Sequence, residues 1–234
     1  MSIASNIAEI KQRVAAAASR AQRDPNTIQL MAVSKTFPAE AIAEAHAAGL
    51  RVFGENRVQE FAGKSSDLHQ LQGAEFHLIG HLQSNKAPRA LELFHAIDSV
   101  DSLRLAEKLN AIAERMRKRV PILLEINIGG EQQKAGLAPD SPELEQLLAA
   151  APRFTALDIR GLMSIPPHTN DPEGARPYFR RLRELRDAIR ARNLPSVAMD
   201  TLSIGMSHDF EVAIEEGSTC VRLGTAIFGA RPTQ

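Results

Sequence analysis

The fold is first indicated by the segment Ile28-Gln29-Leu30-Met31-Ala32-Val33-Ser34-Lys35, a short aliphatic and β-branched run that leads directly into a helical pattern. The run predicts a buried β-strand. Pro38 then opens a stretch in which Ile42 and Ala45 share one helical face, and Gly49 stands where a left-handed residue commonly follows a helix. A strand that leads into a helix is the unit of folds built on a parallel sheet.

The same strand-and-helix unit recurs along the rest of the chain. Eight strands are predicted, at residues 28–35, 51–55, 75–80, 96–100, 120–128, 158–165, 201–205 and 220–228. Their starts lie 19 to 43 residues apart, which is too close for two open-sheet domains and suits one closed ring. We therefore expect an α/β fold, a (β/α)8 TIM barrel, as a single domain over residues 1–234. An extra amphipathic helix from Met1 to Ala21 precedes it.

Charge and composition narrow the class of protein. The 28 Lys and Arg residues balance the 28 Asp and Glu residues, so no overall field attracts nucleic acid. The Arg-rich stretch from Arg176 to Arg192 carries apolar residues at helical spacing, with carboxylates between the arginines, which favours an outer helix over a nucleic-acid face. No apolar run approaches the roughly 18 residues of a membrane span. We therefore expect a soluble protein. Because the lone Cys220 cannot form an intrachain disulfide, we expect it in the cytoplasm.

Two cations are predicted at the mouth of the barrel, where the working residues of this fold lie. Alternation along the first strand places Lys35 on the face of Met31 and Val33, and alternation along the last strand places Arg222 on the face of Cys220. Closure of the ring makes these two strands neighbours. A lysine at a strand end can simply reach solvent, but two inward cations favour a bound anion or an electron-rich ring. The guanidinium would also disfavour the ammonium form of Lys35, which would favour a Schiff-base lysine.

A phosphate site is predicted at the ends of strands seven and eight. In this fold, the loops after these strands and a helix N-terminus often bind phosphate. Strand seven leads into Ser207 at an expected helix start, and strand eight leads into Gly224 and Thr225. Ser207 could be only an N-cap and Gly224 only a packing glycine, but their joint placement favours an anion. Asn56, after strand two, is either a turn residue or a ligand contact.

A metal site is not expected. His77 and His81 are four residues apart, but no Glu occupies the position that a zinc protease motif requires, and Gly80 intervenes. The loop from Gly129 to Pro142 contains glycines without the strand-glycine-helix context of a nucleotide-binding motif.

Several motifs together resemble one family, the pyridoxal phosphate homeostasis proteins of the YggS/PROSC type, which is similar to the N-terminal barrel of alanine racemase. They are Ala32-Val33-Ser34-Lys35-Thr36, Phe53-Gly54-Glu55-Asn56, His77-Leu78-Ile79-Gly80, Gly161-Leu162-Met163, Leu202 through Ser207, and Val221 through Gly229. The resemblance extends over nearly the whole chain.

The resemblance implies a fold-type III barrel that binds pyridoxal 5'-phosphate (PLP) as a Schiff base. It places the link on Lys35, the phosphate contacts on Ser207, Gly224 and Thr225, the ring-nitrogen contact on Arg222, and a lining position at Asn56. It also implies a non-enzymatic protein of vitamin B6 homeostasis that buffers PLP or delivers it to PLP-accepting apo-enzymes. We expect this protein to be a monomer. Because Arg222 is permanently charged, it would oppose protonation of the ring nitrogen and weaken the electron sink that most PLP enzymes need.

Two other functions compete with this interpretation. A PLP-dependent amino-acid racemase needs a second acid or base on the other face of the cofactor. Related racemases supply it as a tyrosine from a β domain, whereas the sequence here ends five residues after Gly229 and its one tyrosine, Tyr178, falls on a predicted outer helix. A cofactor-free Schiff-base aldolase would also use Lys35 and an anion site.

Overall fold

The eight predicted strands form a closed parallel barrel in sequence order. A computed structural model describes residues 2–131 and 133–230 of the chain. The strands are β1 Gln29–Val33, β2 Val52–Glu55, β3 Glu75–Leu78, β4 Ala96–Val100, β5 Val120–Glu125, β6 Leu157–Met163, β7 Val197–Ser203 and β8 Cys220–Leu223. Ring closure pairs β1 with β8, with Met31 opposite Arg222. The sequence-based prediction of a TIM barrel is confirmed.

Helices alternate with the strands around the barrel. They are α1 Ile3–Arg20, α2 Ala39–Ala47, α3 Val58–Leu68, α4 Ala87–Leu93, α5 Leu103–Met116, α6 Pro142–Ala150, α7 Arg176–Ala191, α8 Phe210–Glu215 and α9 Thr225–Phe228. Gly49 follows α2 with a φ of +96°, as its position predicts. None of the helices within the described ranges is long and apolar enough to cross a membrane.

The extra helix α1 packs against the outside of the barrel. Its side chains Ile7, Ile10 and Val14 are buried, on the stripe that the sequence predicts, and the helix contacts α2, α8 and α9. The Ser2 hydroxyl accepts a hydrogen bond from the Ser5 N–H at 3.2 Å and so caps the helix start. Met1, where the predicted helix begins, lies outside the described residues.

The Arg-rich segment forms α7, an outer helix, as its spacing predicts. The buried face of α7 consists of Phe179, Leu182 and Ile189. On its polar face, Arg176, Arg180 and Arg183 form ion pairs with Glu216, whose side chain is 5% exposed. Because these guanidinium groups already have carboxylate partners within the fold, the face is not organised to bind phosphates.

The core has two parts because alternate strand residues point to opposite sides of the barrel wall. The larger part lies between the strands and the helices and includes Ala32, Phe53 and Leu78. The smaller part is a separate buried cluster of Met31, Val52, Ile79 and Cys220, with Val33 packed against it.

Several predicted element ends are wrong. β1 ends at Val33, before Lys35, and β8 ends at Leu223, so residues 224–228 are not strand but the turn and short helix α9. Alternation cannot distinguish a strand from one helical turn in so short an apolar run. Ile227 is buried in α9, and its carbonyl accepts a hydrogen bond from Asn6 Nδ2 of α1 at 2.9 Å. The apolar residues at 226–228 therefore belong to a helical turn that packs against α1.

The helix after β7 also begins later than predicted. α8 starts at Phe210, and Asp209 rather than Ser207 is its N-cap residue. Asp209 Oδ1 accepts a hydrogen bond from the Met206 N–H at 2.7 Å, which closes the loop before the helix. Ser207 therefore belongs to the loop, and its side chain is available for a different contact.

Candidate functional site

All six residues that the sequence predicts to bind a cofactor line one cavity at the carboxyl end of the barrel. The cavity has a volume of about 470 Å³. Its lining residues are Val33, Lys35, Phe37, Asn56, Ile79, Ile165, His168, Met206, Ser207, His208, Arg222, Gly224 and Thr225. The strands bring together residues that lie up to 190 positions apart in sequence, from Lys35 to Thr225.

Arg222 is held rigidly inside the barrel. The residue is 3% exposed. Its Nη1 donates hydrogen bonds to the Ser203 carbonyl at 2.6 Å and the Ser203 hydroxyl at 2.7 Å, and Nη2 donates to the Ser164 carbonyl at 2.8 Å. Burial lowers the pKa of Arg222 from its ordinary value. These three bonds offset the cost of burying the cation and fix its orientation toward the cavity.

Lys35 enters the cavity from a turn rather than from a strand. Ser34 is still tied to β2, since its N–H donates to the Gly54 carbonyl at 3.0 Å, and its carbonyl accepts from the Phe37 N–H at 3.1 Å. The second of these bonds closes a four-residue turn, with Lys35 at its second position. The expectation that Lys35 shares a cavity with Arg222 is confirmed, although the backbone that carries Lys35 differs from the predicted strand.

The loops after β7 and β8 meet at the other side of the cavity. Ser207 Oγ accepts a hydrogen bond from the Ala226 N–H at 3.2 Å, so this hydroxyl ties the first loop to the start of α9. A methyl group added at Gly224 would make ordinary contact with Val33, at 3.5 Å from its carbonyl oxygen. Packing within the protein therefore does not require glycine at position 224. Ser207 is not the N-cap of α8, but its hydroxyl accepts a hydrogen bond from an N–H of the first turn of α9, which is a structural role in itself.

Asn56 is held against the backbone of the loop after β3. A Cβ atom at Gly80 would lie 2.2 Å from the Asn56 carbonyl oxygen and 2.5 Å from Oδ1, so only glycine allows this approach. Asn56 is half-buried and lines the cavity. Its position is that of a residue able to contact a ligand rather than that of a solvated turn residue.

Sequence reasoning missed several residues around the cavity. His168 and His208 both line it, with ring centroids 5.9 Å apart. Ile165, on the same rim, is 41% exposed. Phe37 stacks on Phe228 at 4.7 Å. Each of the missed residues on the rim follows a strand, so reading every strand end for aromatic and imidazole side chains could have found them.

Glu125 is a second missed feature, at the carboxyl end of β5. Burial, assisted by Asp101, raises the pKa of Glu125 to about 7, against the opposite influence of Arg222 and His81. Its Oε2 atom is buried and has no hydrogen-bond partner within residues 2–131 and 133–230. Because Arg222 lowers this pKa, the Glu125 carboxyl group lies within electrostatic range of the buried guanidinium.

The two histidines considered for zinc have other partners. His77 Nδ1 lies 3.1 Å from Asp98, and His81 Nδ1 lies 2.9 Å from Asp101. In the described part of the chain, no group of three or more His, Cys, Asp or Glu side chains could hold a metal ion. His77 and Asp98 instead line a cavity of about 460 Å³ at the amino end of the barrel. Residues at that end of this fold usually serve stability.

The chain belongs to the class of proteins that share the N-terminal barrel of alanine racemase. The chain matches the family model for the N-terminal domain of alanine racemase over residues 5–232. A pyridoxal phosphate homeostasis protein of Aquifex aeolicus is 42% identical over 231 residues, which cover 99% of each chain. One of Pseudomonas aeruginosa is 46% identical over 229 residues, which cover 98% of this chain and 96% of the relative. The chain therefore belongs to the family of pyridoxal phosphate homeostasis proteins.

A solved structure agrees with this family assignment. PipY of Synechococcus elongatus PCC7942, determined with PLP bound, is 38% identical and superimposes with a TM-score of 0.83. The match covers 97% of this chain and 100% of PipY. The name that the relatives carry is that of a homeostasis protein and not of an enzyme.

Proposed function

We propose that this protein binds PLP in the cavity at the carboxyl end of its barrel and holds it covalently on Lys35, and that it thereby buffers or delivers the vitamin inside the cell. The proposal rests on one observation. Lys35 and Arg222 line the same cavity of about 470 Å³ as Ser207 and Thr225, which follow β7 and β8. The family assignment and the PLP-bound PipY structure support it.

The residues fit the chemical groups of PLP. When bound, PLP supplies an aldehyde that links reversibly to amines and a ring that can withdraw electrons. Lys35 would supply the amine. Ser207, Gly224 and Thr225 would surround the phosphate with hydroxyl groups and backbone N–H groups, and Asn56 would contact the ligand from the side of β2.

Arg222 would favour holding PLP over transforming it. The guanidinium is buried, permanently charged and fixed by the bonds to Ser203 and Ser164, so it cannot swing away from the ring. Next to a ring nitrogen it would oppose protonation and limit electron withdrawal. This is the property expected of a carrier, since a carrier must return the vitamin unchanged.

The experiment that tests the proposal is borohydride reduction of the purified protein after incubation with PLP, followed by peptide mass analysis. A pyridoxyl adduct on Lys35 is expected, together with a visible absorption band before reduction, and Lys35→Arg should lose both. Lys86→Arg provides the control, because Lys86 lies in the turn before α4 and does not line the cavity. An unmodified Lys35 beside a labelled lysine elsewhere would overturn the site assignment.

Two further measurements separate the rival functions. A protein that shows Lys35-dependent aldol cleavage without any absorption band would be a cofactor-free aldolase. Interconversion of amino-acid enantiomers at a rate above that of PLP alone would identify a racemase. Neither activity is expected of a carrier.

The location and partners of the protein are part of the same proposal. We infer a cytoplasmic monomer that passes PLP to PLP-accepting apo-enzymes. Cys220 is buried and is present as a thiol, which suits a reducing compartment. Sedimentation analysis tests the oligomeric state, and activation of an apo-enzyme by the loaded protein, compared with the same concentration of dissolved PLP, tests delivery.

A further inference from the structure

The turn that carries Lys35 contains a residue in an unfavourable conformation. The Phe37 N–H donates to the Ser34 carbonyl at 3.1 Å, so Ser34 to Phe37 form a β-turn with Thr36 at its third position. Thr36 has a φ of +67°. A positive φ at the third position is the mark of a type II turn, which normally requires Gly or Asn there. A β-branched residue in this conformation is strained, and such strain persists only where neighbouring groups impose it.

Two side chains of α3 impose this conformation. Lys64 Nζ donates hydrogen bonds to the Ser34 carbonyl at 3.1 Å and the Phe37 carbonyl at 3.0 Å, and so holds the first and last residues of the turn. Glu60 Oε1 accepts a hydrogen bond from the Thr36 N–H at 2.6 Å and so holds the strained residue itself. All three bonds involve a charged partner, which makes them stronger than neutral hydrogen bonds.

A buried carboxylate anchors this clamp of Lys64 and Glu60. Glu55, at the end of β2, is fully buried. Its Oε1 accepts a hydrogen bond from Ser34 Oγ at 2.6 Å and pairs with Lys64 Nζ at 2.8 Å. Burial raises the pKa of Glu55, and Lys64 opposes that shift. Burying a carboxylate is costly unless it is paired, so the pair with Lys64 both stabilises Glu55 and places the ammonium group on the turn.

We propose that Lys64 and Glu60, anchored on Glu55, are positioning residues that hold the Ser34–Phe37 turn in its strained form and thereby present the Lys35 amine to PLP. The inference rests on the proposed function of Lys35. The three side chains act through the turn, since Glu55, Glu60 and Lys64 are not among the described residues that line the cavity. A local rule is broken at the residue next to Lys35 and compensated from a separate helix, which is typical of a functional site.

The test is the rate at which a given amount of folded protein captures PLP on Lys35, followed by the visible band and by quenching with borohydride. Lys64→Met keeps the length of the side chain and removes its charge. We expect capture to slow, and PLP to dissociate more readily, by about tenfold. Lys64→Arg, which can still donate to two carbonyls, should recover part of this loss. Lys118→Met is the matched control, because Lys118 Nζ also donates to a backbone carbonyl, that of Leu91 at 2.7 Å, in a different part of the fold.

A double variant separates positioning from general stability. Asn tolerates a positive φ at the third position of the turn, and Thr36 is exposed, so Asn fits there. If the clamp serves to hold this conformation, Thr36→Asn should restore much of the capture rate in the Lys64→Met background and change it little in the otherwise unaltered protein. If Lys64 only neutralises Glu55, the lowered unfolding temperature of Lys64→Met should be corrected by Glu55→Gln and not by Thr36→Asn, and the inference is wrong.

Glu60→Gln keeps the inference testable if Lys64→Met does not fold. The Glu60 side chain is 31% exposed, and the amide keeps its size while weakening the bond to Thr36. Capture should slow by about two- to threefold. Capture at the unaltered rate in both Glu60→Gln and folded Lys64→Met would overturn the inference while leaving the proposed function intact. Failure of the unaltered protein to capture PLP would instead overturn the proposed function.

Discussion

Replacement of Glu125 by Gln should stabilise the protein, and the gain should grow with pH. Burial near Asp101 raises the pKa of Glu125 from 4.5 to about 7. At about 1.4 kcal/mol for each pKa unit, the ionised carboxylate costs the folded state about 3 kcal/mol. Because the pKa is raised in the folded state, that state binds more protons than the unfolded state between pH 4.5 and 7. Its stability therefore falls as the pH rises through this range.

Equilibrium urea unfolding of the protein freed of bound PLP measures this effect. The difference in unfolding free energy between Glu125→Gln and the unaltered protein should increase by about 2 to 3 kcal/mol from pH 5 to pH 8. Titrating groups that do not interact with Glu125 cancel in that difference. Glu107→Gln is the control, because Glu107 is exposed on α5, and its difference should stay within about 0.5 kcal/mol. A Glu125→Gln difference that does not change with pH would show that the pKa of Glu125 is not raised in the folded protein.

Three further predictions concern the two ends of the barrel. Arg222→Gln removes a permanent positive charge, so the pH at which the absorption spectrum of bound PLP changes should rise by about 1 unit or more. A spectrum that changes at the same pH in both proteins would contradict the proposed contact between Arg222 and the ring nitrogen. Burial lowers the pKa of His77, but Asp98 and Glu75 together outweigh burial and raise this pKa from 6.5 to about 10. The stabilisation by these partners is therefore complete below pH 6.5 and is lost as the pH rises through 10. His77→Asn should therefore lower the unfolding free energy by about 3 to 5 kcal/mol at pH 6, with a smaller loss at pH 10, as measured by urea unfolding. Gly224→Ala should change the unfolding free energy by less than about 1 kcal/mol, because the added methyl group would make only ordinary contact with Val33. The same substitution should raise the dissociation constant of PLP about tenfold. A large loss of stability without weaker PLP binding would instead show that Gly224 is a packing residue.

Features that depend on residues close together in the sequence could be predicted, whereas features that depend on contacts between distant parts of the chain could not. Arg222 could be assigned to the cavity because it lies within β8, where strand alternation holds, and Lys35 could be assigned to it because it follows β1, the strand that pairs with β8. The pKa of Glu125 could not, since it depends on Asp101 and on groups from other strands that surround it in space. The clamp on the Lys35 turn was missed for the same reason, because Lys64 lies 29 positions further along the chain. That residues 1–234 form one domain stays a prediction.

Local patterns were sufficient to predict the order of strands and helices, the closed barrel and the family, because these features depend on repeated patterns and on motifs spread over nearly the whole chain. The packed structure was needed to show that residues 225–228 form a helix beneath α1, that Ser207 ties two loops together, and that Thr36 is held in a strained turn. Short apolar runs suit either a strand or a helical turn, and the backbone of a loop follows whichever hydrogen bonds the packed elements around it offer.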